Sequence, residues 1–417
     1  MPWKVPPVSE QRLALCHVVR TAGRSVTRAA ADFGVSRKTA YKWLACFDAA
    51  CTNAVTGAGA TGVNAARVKA AGANATGVTP LLALSDRSRK PLHSPRRTDV
   101  QVEQSVLAVR DQYRWGPRKI HAYLRQQAAR DAQPPPALPS VRTLGNILRR
   151  CGRMDDPASP PPTPPQRFER EQPNDLWQVD FKGPVEVDRR KLMPLSILDD
   201  CSRYLLAFEP CDNVTMASAW AVLWETFGQV GLPLQLLCDN AFSTMGTSRP
   251  AGISWFDAQL IRVGVRPSHG RAYHPQTQGK VERLHGSAMR ELIDFDARRD
   301  NTLHFAEDCR RWQNLYNHLR PHEALGDQPP ATRWTPSPRK RPPTLPEAMS
   351  FYSSGATLRS VASDGTISFG GYQILCGRGI AKERVRIEER DGEVALFYCW
   401  KQFRTLSHDQ LIKGKSL

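Results

Sequence analysis

The 417-residue sequence has no Cys-x-x-Cys pair. Its ten cysteines are scattered, which argues against a zinc finger and reads as reduced thiols in a cytosolic protein. It also has no apolar run of the roughly 20 residues that a membrane-spanning helix requires. The longest uncharged stretches, such as residues 49–66, are rich in Ala, Gly, Thr and Asn instead. The N-terminus carries Pro2, Pro6, Pro7 and Glu10 where a secretory signal would place a basic and then an apolar run. Acidic residues are scarce in the first third. Over residues 1–150 there are 24 Lys and Arg against 8 Asp and Glu, a net +16 out of +18 for the whole chain. Such asymmetry points to a polyanion partner for the N-terminal third, with nucleic acid ahead of an anionic membrane surface.

A chain this long exceeds one ordinary core, so two to four domains of roughly 100–200 residues are expected. A hydrophobic content of 41% with 24% charged residues suits soluble globular domains. Prolines mark the boundaries. Six of the nine residues 157–165 are Pro, a composition that dictates a stiff, extended spacer. Residues 329–346 are similar and add Arg333, Arg339, Lys340 and Arg341. The resulting division is 1–50, an Ala/Gly-rich linker over 51–83, 84–152, a Pro-rich linker over 153–169, 170–328, a Pro-rich basic linker over 329–346, and 347–417.

The first block reads as three helices. Gly34-Val35-Ser36 supplies a turn, and Ser36 is placed to cap a third helix bearing Arg37, Lys38 and Lys42. This is the helix-turn-helix pattern, whose last helix fits the major groove of B-DNA while its basic residues meet phosphates. The second block repeats it over 102–112, 117–127 and 140–150, with Pro117 in a first turn, Ser140 as a cap, and Val141, Leu144, Ile147 and Leu148 as an apolar stripe. Arg118 and Lys119 lie in this module. Ahead of it, Arg87, Arg89 and Lys90 belong to a basic run suited to a DNA backbone or minor groove. The last block reads as all-β, a small barrel of five or six strands. It has turn signals at Asp364-Gly365, Gly370-Gly371 and Asp391-Gly392, and Val385 and Ile387 alternate with charged residues.

The block 170–328 alternates strands and helices, an α/β pattern with a mixed sheet. Asp180 lies within the apolar run Leu176–Phe181, and Asp239 ends the apolar run from Pro233. An unpaired carboxylate is costly to bury on such strands. A shared metal site explains both, with Glu282 approaching from a flanking helix. Oxygen ligands without Cys or clustered His favour Mg²⁺ or Mn²⁺, and two such ions suit phosphoryl displacement. Lys280, Arg283 and Arg290 flank Glu282 where they could hold DNA phosphates. Asp188, Asp199, Asp200 and Glu291 read as exposed loop or helix-face carboxylates. His318 and His322 have ligand spacing, but Pro321 interrupts their helix, and a packing or DNA-proximal role is the better reading.

Gln178-Val179-Asp180, Cys238-Asp239-Asn240 and the run His274-Pro275-Gln276-Thr277-Gln278-Gly279-Lys280-Val281-Glu282-Arg283 are followed by Tyr316-Asn317-His318-Leu319-Arg320-Pro321-His322-Glu323. Together they resemble the integrase catalytic core of DDE-type insertion-sequence transposases and retroviral integrases. Arg114-Trp115-Gly116-Pro117-Arg118-Lys119-Ile120 and the doubled helix-turn-helix are similar to the bacterial insertion-sequence branch. Departures are Ala241 where Gly is usual, Gln278 where Asn is common, and 42 residues between Asp239 and Glu282.

The resemblance implies a multidomain protein with all-α helix-turn-helix N-terminal domains, an α/β ribonuclease-H-like catalytic core and a small all-β barrel. Asp180, Asp239 and Glu282 would be the catalytic metal ligands for Mg²⁺ or Mn²⁺. The partners would be double-stranded DNA, both transposon ends and target, bound by a homo-oligomer, with no membrane. The implied location is the bacterial cytoplasm, at the nucleoid. A catalytically inactive DNA-binding protein or repressor derived from a transposase is the alternative function.

Overall fold

The structure, a computed structural model, describes residues 7–56, 81, 83–86, 97–131, 138–154, 169–239, 252–269, 279–295, 297–390 and 392–407. They form two compact units, Met1–Arg97 and Thr98–Leu417.

In the first unit, α1 (Val8–Arg20), α2 (Val26–Asp32) and α3 (Arg37–Thr56) close on Leu15, Cys16, Ala30, Ala40, Leu44 and Phe47. Gly34, at φ +64°, makes the turn from α2 into α3, a backbone region that glycine enters without a Cβ clash. Ser36 Oγ accepts from the Thr39 amide at 3.1 Å and caps α3, as expected. Helix α3 continues past residue 50 to Thr56, and Leu84 packs into the same core. Arg12 holds that junction: it donates to Leu84 O at 2.8 Å, pairs with Asp86 at 2.8 Å and covers the Trp43 ring at 3.8 Å.

The second unit begins with α4 (Val100–Tyr113), α5 (Pro117–Arg130) and α6 (Val141–Arg150). Pro117 opens α5, and Ser140 caps α6 by accepting from the Thr143 amide at 3.3 Å. Leu144, Ile147 and Leu148 are buried with Trp115 and Ile120, whereas Val141, expected in the same stripe, is 40% exposed at the start of its helix.

The central sheet runs β4 (Leu205–Cys211), β3 (Arg190–Asp199), β1 (Leu176–Phe181), β5 (Gln235–Cys238) and β6 (Arg266–His269). β2 (Val185–Val187) pairs with the start of β3. The pairs β4–β3 and β3–β1 are antiparallel, and β1–β5 and β5–β6 are parallel, so the sheet is mixed. One face buries Trp177, Val179, Leu195, Ile197 and Leu236 against α7 (Met216–Val230) and α8 (Trp255–Arg262). The other face receives α9 (Gly279–Ala288), a π turn at Met289–Ile293, and α10 (Thr302–His318), around Leu198, Leu205, Phe208, Leu284, Phe305 and Trp312. Asn317 of α10 pairs with both the amide and the carbonyl of Leu205, each at 2.8 Å, and ties α10 to β4.

Residues 329–346, expected as a free spacer, are laid against this layer. Trp334 stacks on Tyr204 at 4.0 Å, Ser337 Oγ donates to Leu232 O at 2.6 Å, and Arg341 covers the Trp224 ring at 4.4 Å. The strap opens with a 3-10 turn at Pro330–Arg333 and has no further helix or strand up to residue 346, and its side chains supply the contacts.

The C-terminal region is all-β, as expected. The sheet β12 (Lys401–Ser407), β11 (Glu393–Tyr398), β10 (Arg384–Arg390) and β7 (Leu358–Ser360) is antiparallel, and β8 (Thr366–Phe369) and β9 (Tyr372–Leu375) form a separate hairpin through Gly370-Gly371. Among the described residues the two sheets do not close into a barrel. Val385 and Ile387 are buried and alternate outward with Arg384 and Arg386. This layer shares a core with Ile253, Ala258 and Ile261 of the central region. At the seam Ile253 N donates to Cys376 O at 2.8 Å, and Gly379 N donates to Ile253 O at 3.2 Å. No described helix is long and apolar enough to cross a membrane.

Candidate active site

β1 and β5 are neighbouring parallel strands with Val179 beside Cys238. The next residue of each chain is a carboxylate, so strand pairing brings Asp180 and Asp239 to the same end of the sheet. Helix α9 buries Val281 and Leu284 and leaves Glu282 exposed. Burial above all, then the charge of Asp239 and that of Glu282, pushes the Asp180 carboxyl up to about 6; its hydrogen bond with the Phe181 backbone acts the other way. The three acids expected to act together therefore share one electrostatic environment. They are neighbours but not a closed cage: among the described residues, no three His, Cys, Asp or Glu side chains lie close enough together to hold a metal ion.

His285, one turn after Glu282, was not singled out in the sequence. Its Nε2 is 2.8 Å from Ser196 Oγ, and its Nδ1 is 3.9 Å from Asp180 Oδ2. Ser196 Oγ also lies 3.1 Å from Asp180 O, so the hydroxyl links the imidazole to the β1 backbone beside the carboxylate. Burial first, and then the charge of Lys182, lowers the imidazole to about 4, keeping it neutral at physiological pH. The i, i+3 spacing from Glu282 was the available signal, and it identifies a helix neighbour without revealing Ser196, 89 residues away.

Behind Asp239, Cys238 Sγ is 3.5 Å from His269 Nδ1, and His269 Nε2 is 2.9 Å from Asp257 Oδ1. The order is that of a nucleophile relay, but Cys238 is fully buried and burial raises its thiol well above the usual range. A thiol of that kind is unreactive. The chain of contacts ties β5, β6 and α8 together.

Three acids expected at the surface are buried. Asp199 accepts from the amides of Asn174 and Ser202, each at 2.7 Å. Asp200 accepts from Gln178 Nε2 at 2.7 Å and from the Arg170 amide at 2.8 Å, and it pairs with Lys280 Nζ. Glu291 meets Arg320 at 2.7 Å and Lys119 at 3.5 Å and accepts from Trp115 Nε1 at 3.3 Å. Asp200 and Glu291 are buried because distant partners satisfy their charge, which local sequence cannot display, whereas Asp199 is held partly by its near neighbour Ser202. Asp188 is exposed in the β2–β3 turn, as expected.

The basic candidates divide. Arg37, Lys38 and Lys42 are exposed on α3, Arg283 on α9 and Arg290 in the π turn that follows it. Lys280 instead turns inward to Asp200, and Lys119 to Glu291. Arg118 is half-exposed and pairs with Glu323 at 2.7 Å and Asp327 at 3.2 Å. Arg87, Arg89 and Lys90 lie outside the described residues, as do Ala241 and residues 270–278 of the long motif. His318 and His322 do not converge as ligands: His318 sits edge-on to Tyr204, and His322 packs beside Tyr316.

Two models of the integrase core domain match residues 170–275 and 263–330, which together span all three carboxylates. The region of residues 170–330 is an integrase-like core domain. Its mixed sheet places two acids at adjoining strand ends and the third on the following helix. Among solved structures, the HTLV-2 integrase catalytic core domain in complex with magnesium is 15% identical (TM-score 0.31), covering 39% of this chain and 97% of that one. The catalytic core domain of BIV integrase is 18% identical (TM-score 0.30), covering 38% and 92%. A simian T-cell lymphotropic virus intasome with a PP2A regulatory subunit is 16% identical (TM-score 0.34), covering 70% and 99%.

Proposed function

We propose that the chain is a DDE-type DNA transposase of the bacterial insertion-sequence kind. The observation that carries this reading is that the pairing of β1 with β5 puts Asp180 and Asp239 at the same end of the sheet, with Glu282 near enough for its charge to act on Asp180, inside the region that the integrase core models match. The α1–α3 unit binds transposon-end inverted repeats, with exposed Arg37, Lys38 and Lys42 on phosphates. Arg283 holds DNA beside the acids. Two ends must be brought together, so a homo-oligomer acts on DNA.

The donor set fits a divalent cation. The three carboxylates are oxygen donors, and the charges of Asp239 and Glu282 both act on the buried Asp180 carboxyl. Asp180, Asp239 and Glu282 would hold Mg²⁺ or Mn²⁺, the hard cations that oxygen ligands favour. When bound, such ions lower the cost of charge on the attacking and leaving oxygens of an in-line phosphoryl displacement. The chain's own part is positional. Strand pairing fixes Asp180 beside Asp239, and the Val281 and Leu284 packing fixes the face that Glu282 presents. His285, held by Ser196, keeps a neutral ring against Asp180. Water first cleaves a phosphodiester at the element end, leaving a 3′-hydroxyl on one fragment and a 5′-phosphate on the other. The hydroxyl then attacks a target phosphodiester, displacing its 3′ oxygen, with no covalent enzyme intermediate.

Labelled DNA carrying the element's ends, incubated with Mg²⁺, Mn²⁺ or EDTA, tests the proposal. Metal-dependent nicks and joined products from the parent, absent from Asp239→Asn, are expected. Equal end binding by both proteins with no cutting by either would overturn it in favour of an inactive DNA-binding derivative. Cutting without joining would mark a nuclease.

A further inference from the structure

Asp200 is fully buried yet takes no direct part in the three-carboxylate site. It lies just after β3, and its amide donates to Leu176 O at 2.9 Å, fastening it to the start of β1. Its carboxylate then reaches two partners that bracket the site. Gln178 Nε2 donates to Oδ1 from β1, two residues before Asp180. Lys280 Nζ pairs with the same oxygen from the first turn of α9, two residues before Glu282, and also donates to Asp200 O at 3.2 Å. On a strand, residues two apart share a face, so Gln178 fixes the side of β1 from which Asp180 projects. On a helix, the first turn moves as a unit, so the Lys280 anchor sets where Glu282 sits.

Buried ion pairs add little net stability over an apolar replacement, because desolvation offsets the attraction. What such a pair supplies is a defined separation between the elements it joins.

We propose that Asp200 and Lys280 form a positioning clamp that sets the spacing of Asp180 and Glu282, and thereby the affinity of the carboxylate site for a divalent cation. The clamp rests on the metal-dependent reading above. Neither residue touches substrate; both act through the acids they place.

The test is calorimetric titration of the full chain with Mn²⁺ alone, beside thermal unfolding without metal. Lys280→Gln and Asp200→Asn are expected to weaken Mn²⁺ binding by about tenfold or more, the range seen when groups orienting metal ligands are removed. Lys280→Arg, which keeps the charge, is expected to recover most of the loss. Should Asp200→Asn fail to fold, Lys280→Gln, at the more exposed end of the clamp, decides. Folded variants that bind Mn²⁺ within about twofold of the parent would overturn the clamp, since removing a ligand-orienting group costs more than that. A parent that binds no Mn²⁺, or an Asp239→Asn variant that binds it equally well, would instead overturn the metal-dependent reading and the clamp with it.

Discussion

The Arg320 guanidinium meets the Glu291 carboxylate at two points, Nε at 2.7 Å and Nη2 at 2.9 Å, with both side chains only 5% exposed. Trp115 and Lys119 reach the same carboxylate from the α4–α6 bundle, so the segment 114–120 and the segment 316–323 are each other's docking surfaces. Leu315 and Leu319 complete the contact. Arg320→Met strands a buried anion and is expected to lose about 3–5 kcal/mol of stability in urea unfolding. Arg320→Met combined with Glu291→Met is expected to be more stable than the single change. A double variant as unstable as the sum of its parts would mean that the two residues act separately.

Asp180 carries a cost in the metal-free protein. Its carboxyl is raised to about 6 by burial and by two neighbouring acids, so the unfolded chain gives up this proton at lower pH than the folded one. Its ionisation therefore destabilises the fold progressively from about pH 4 to about pH 6, and fully above that. Asp180→Asn is expected to stabilise the metal-free protein at pH 7 by about 1–2 kcal/mol and to lose the stabilisation that Mn²⁺ gives the parent. Urea midpoints with and without Mn²⁺ measure both. A variant less stable than the parent that still responds to Mn²⁺ would contradict the expectation.

His322 should produce the opposite pH trend. Burial first, then the charges of Arg320, Arg203, Lys119 and Arg283, lowers its imidazole to about 3. The unfolded chain takes up a proton below about pH 6.5 while the folded ring stays neutral, so this stability is present above pH 6.5 and lost as pH falls toward 3. His322→Gln is expected to flatten the acid limb of the stability curve, worth about 2 kcal/mol near pH 4.5. Parallel curves for parent and variant between pH 4 and 7 would exclude His322 as the source.

DNA binding by the first unit should be largely electrostatic. Lys42→Ala and Arg37→Ala are each expected to weaken binding across all sequences and to reduce the slope of log affinity against log salt by about 1. Fluorescence anisotropy at several salt concentrations measures the slope. An unchanged slope would move the phosphate contacts off α3.

Much of the integrase-core region is legible because its signals are local. An apolar run holding one carboxylate marks β1 and one ending in a carboxylate marks β5, and Ser36, Pro117 and Ser140 start helices where caps and fixed φ predict them. What stayed hidden depends on partners far along the chain. Asp200 reads as a loop acid until Lys280, 80 residues on, is folded beside it, and Glu291 reads as a helix-face acid until Arg320 arrives from 29 residues away. The pairings of Lys280 and Lys119 stay hidden for the same reason, since a basic residue on an amphipathic helix looks solvent-facing unless its buried acid is known. The strap 329–346 shows a further limit: proline content reveals an extended chain but not the surface it lies on.

The glycine seam has its own consequence. A Cβ on Gly379 would sit 2.1 Å from the Ser254 carbonyl carbon, and one on Gly377 would sit 2.3 Å from Ile253 N. Main chain is packed directly on main chain there, with no side chain between to act as a spacer. Substitutions elsewhere in the two layers can therefore change charge and shape but cannot retune the angle between them. The C-terminal sheet thus keeps a fixed bearing on the strand ends that carry Asp180 and Asp239, whatever its own outer side chains touch.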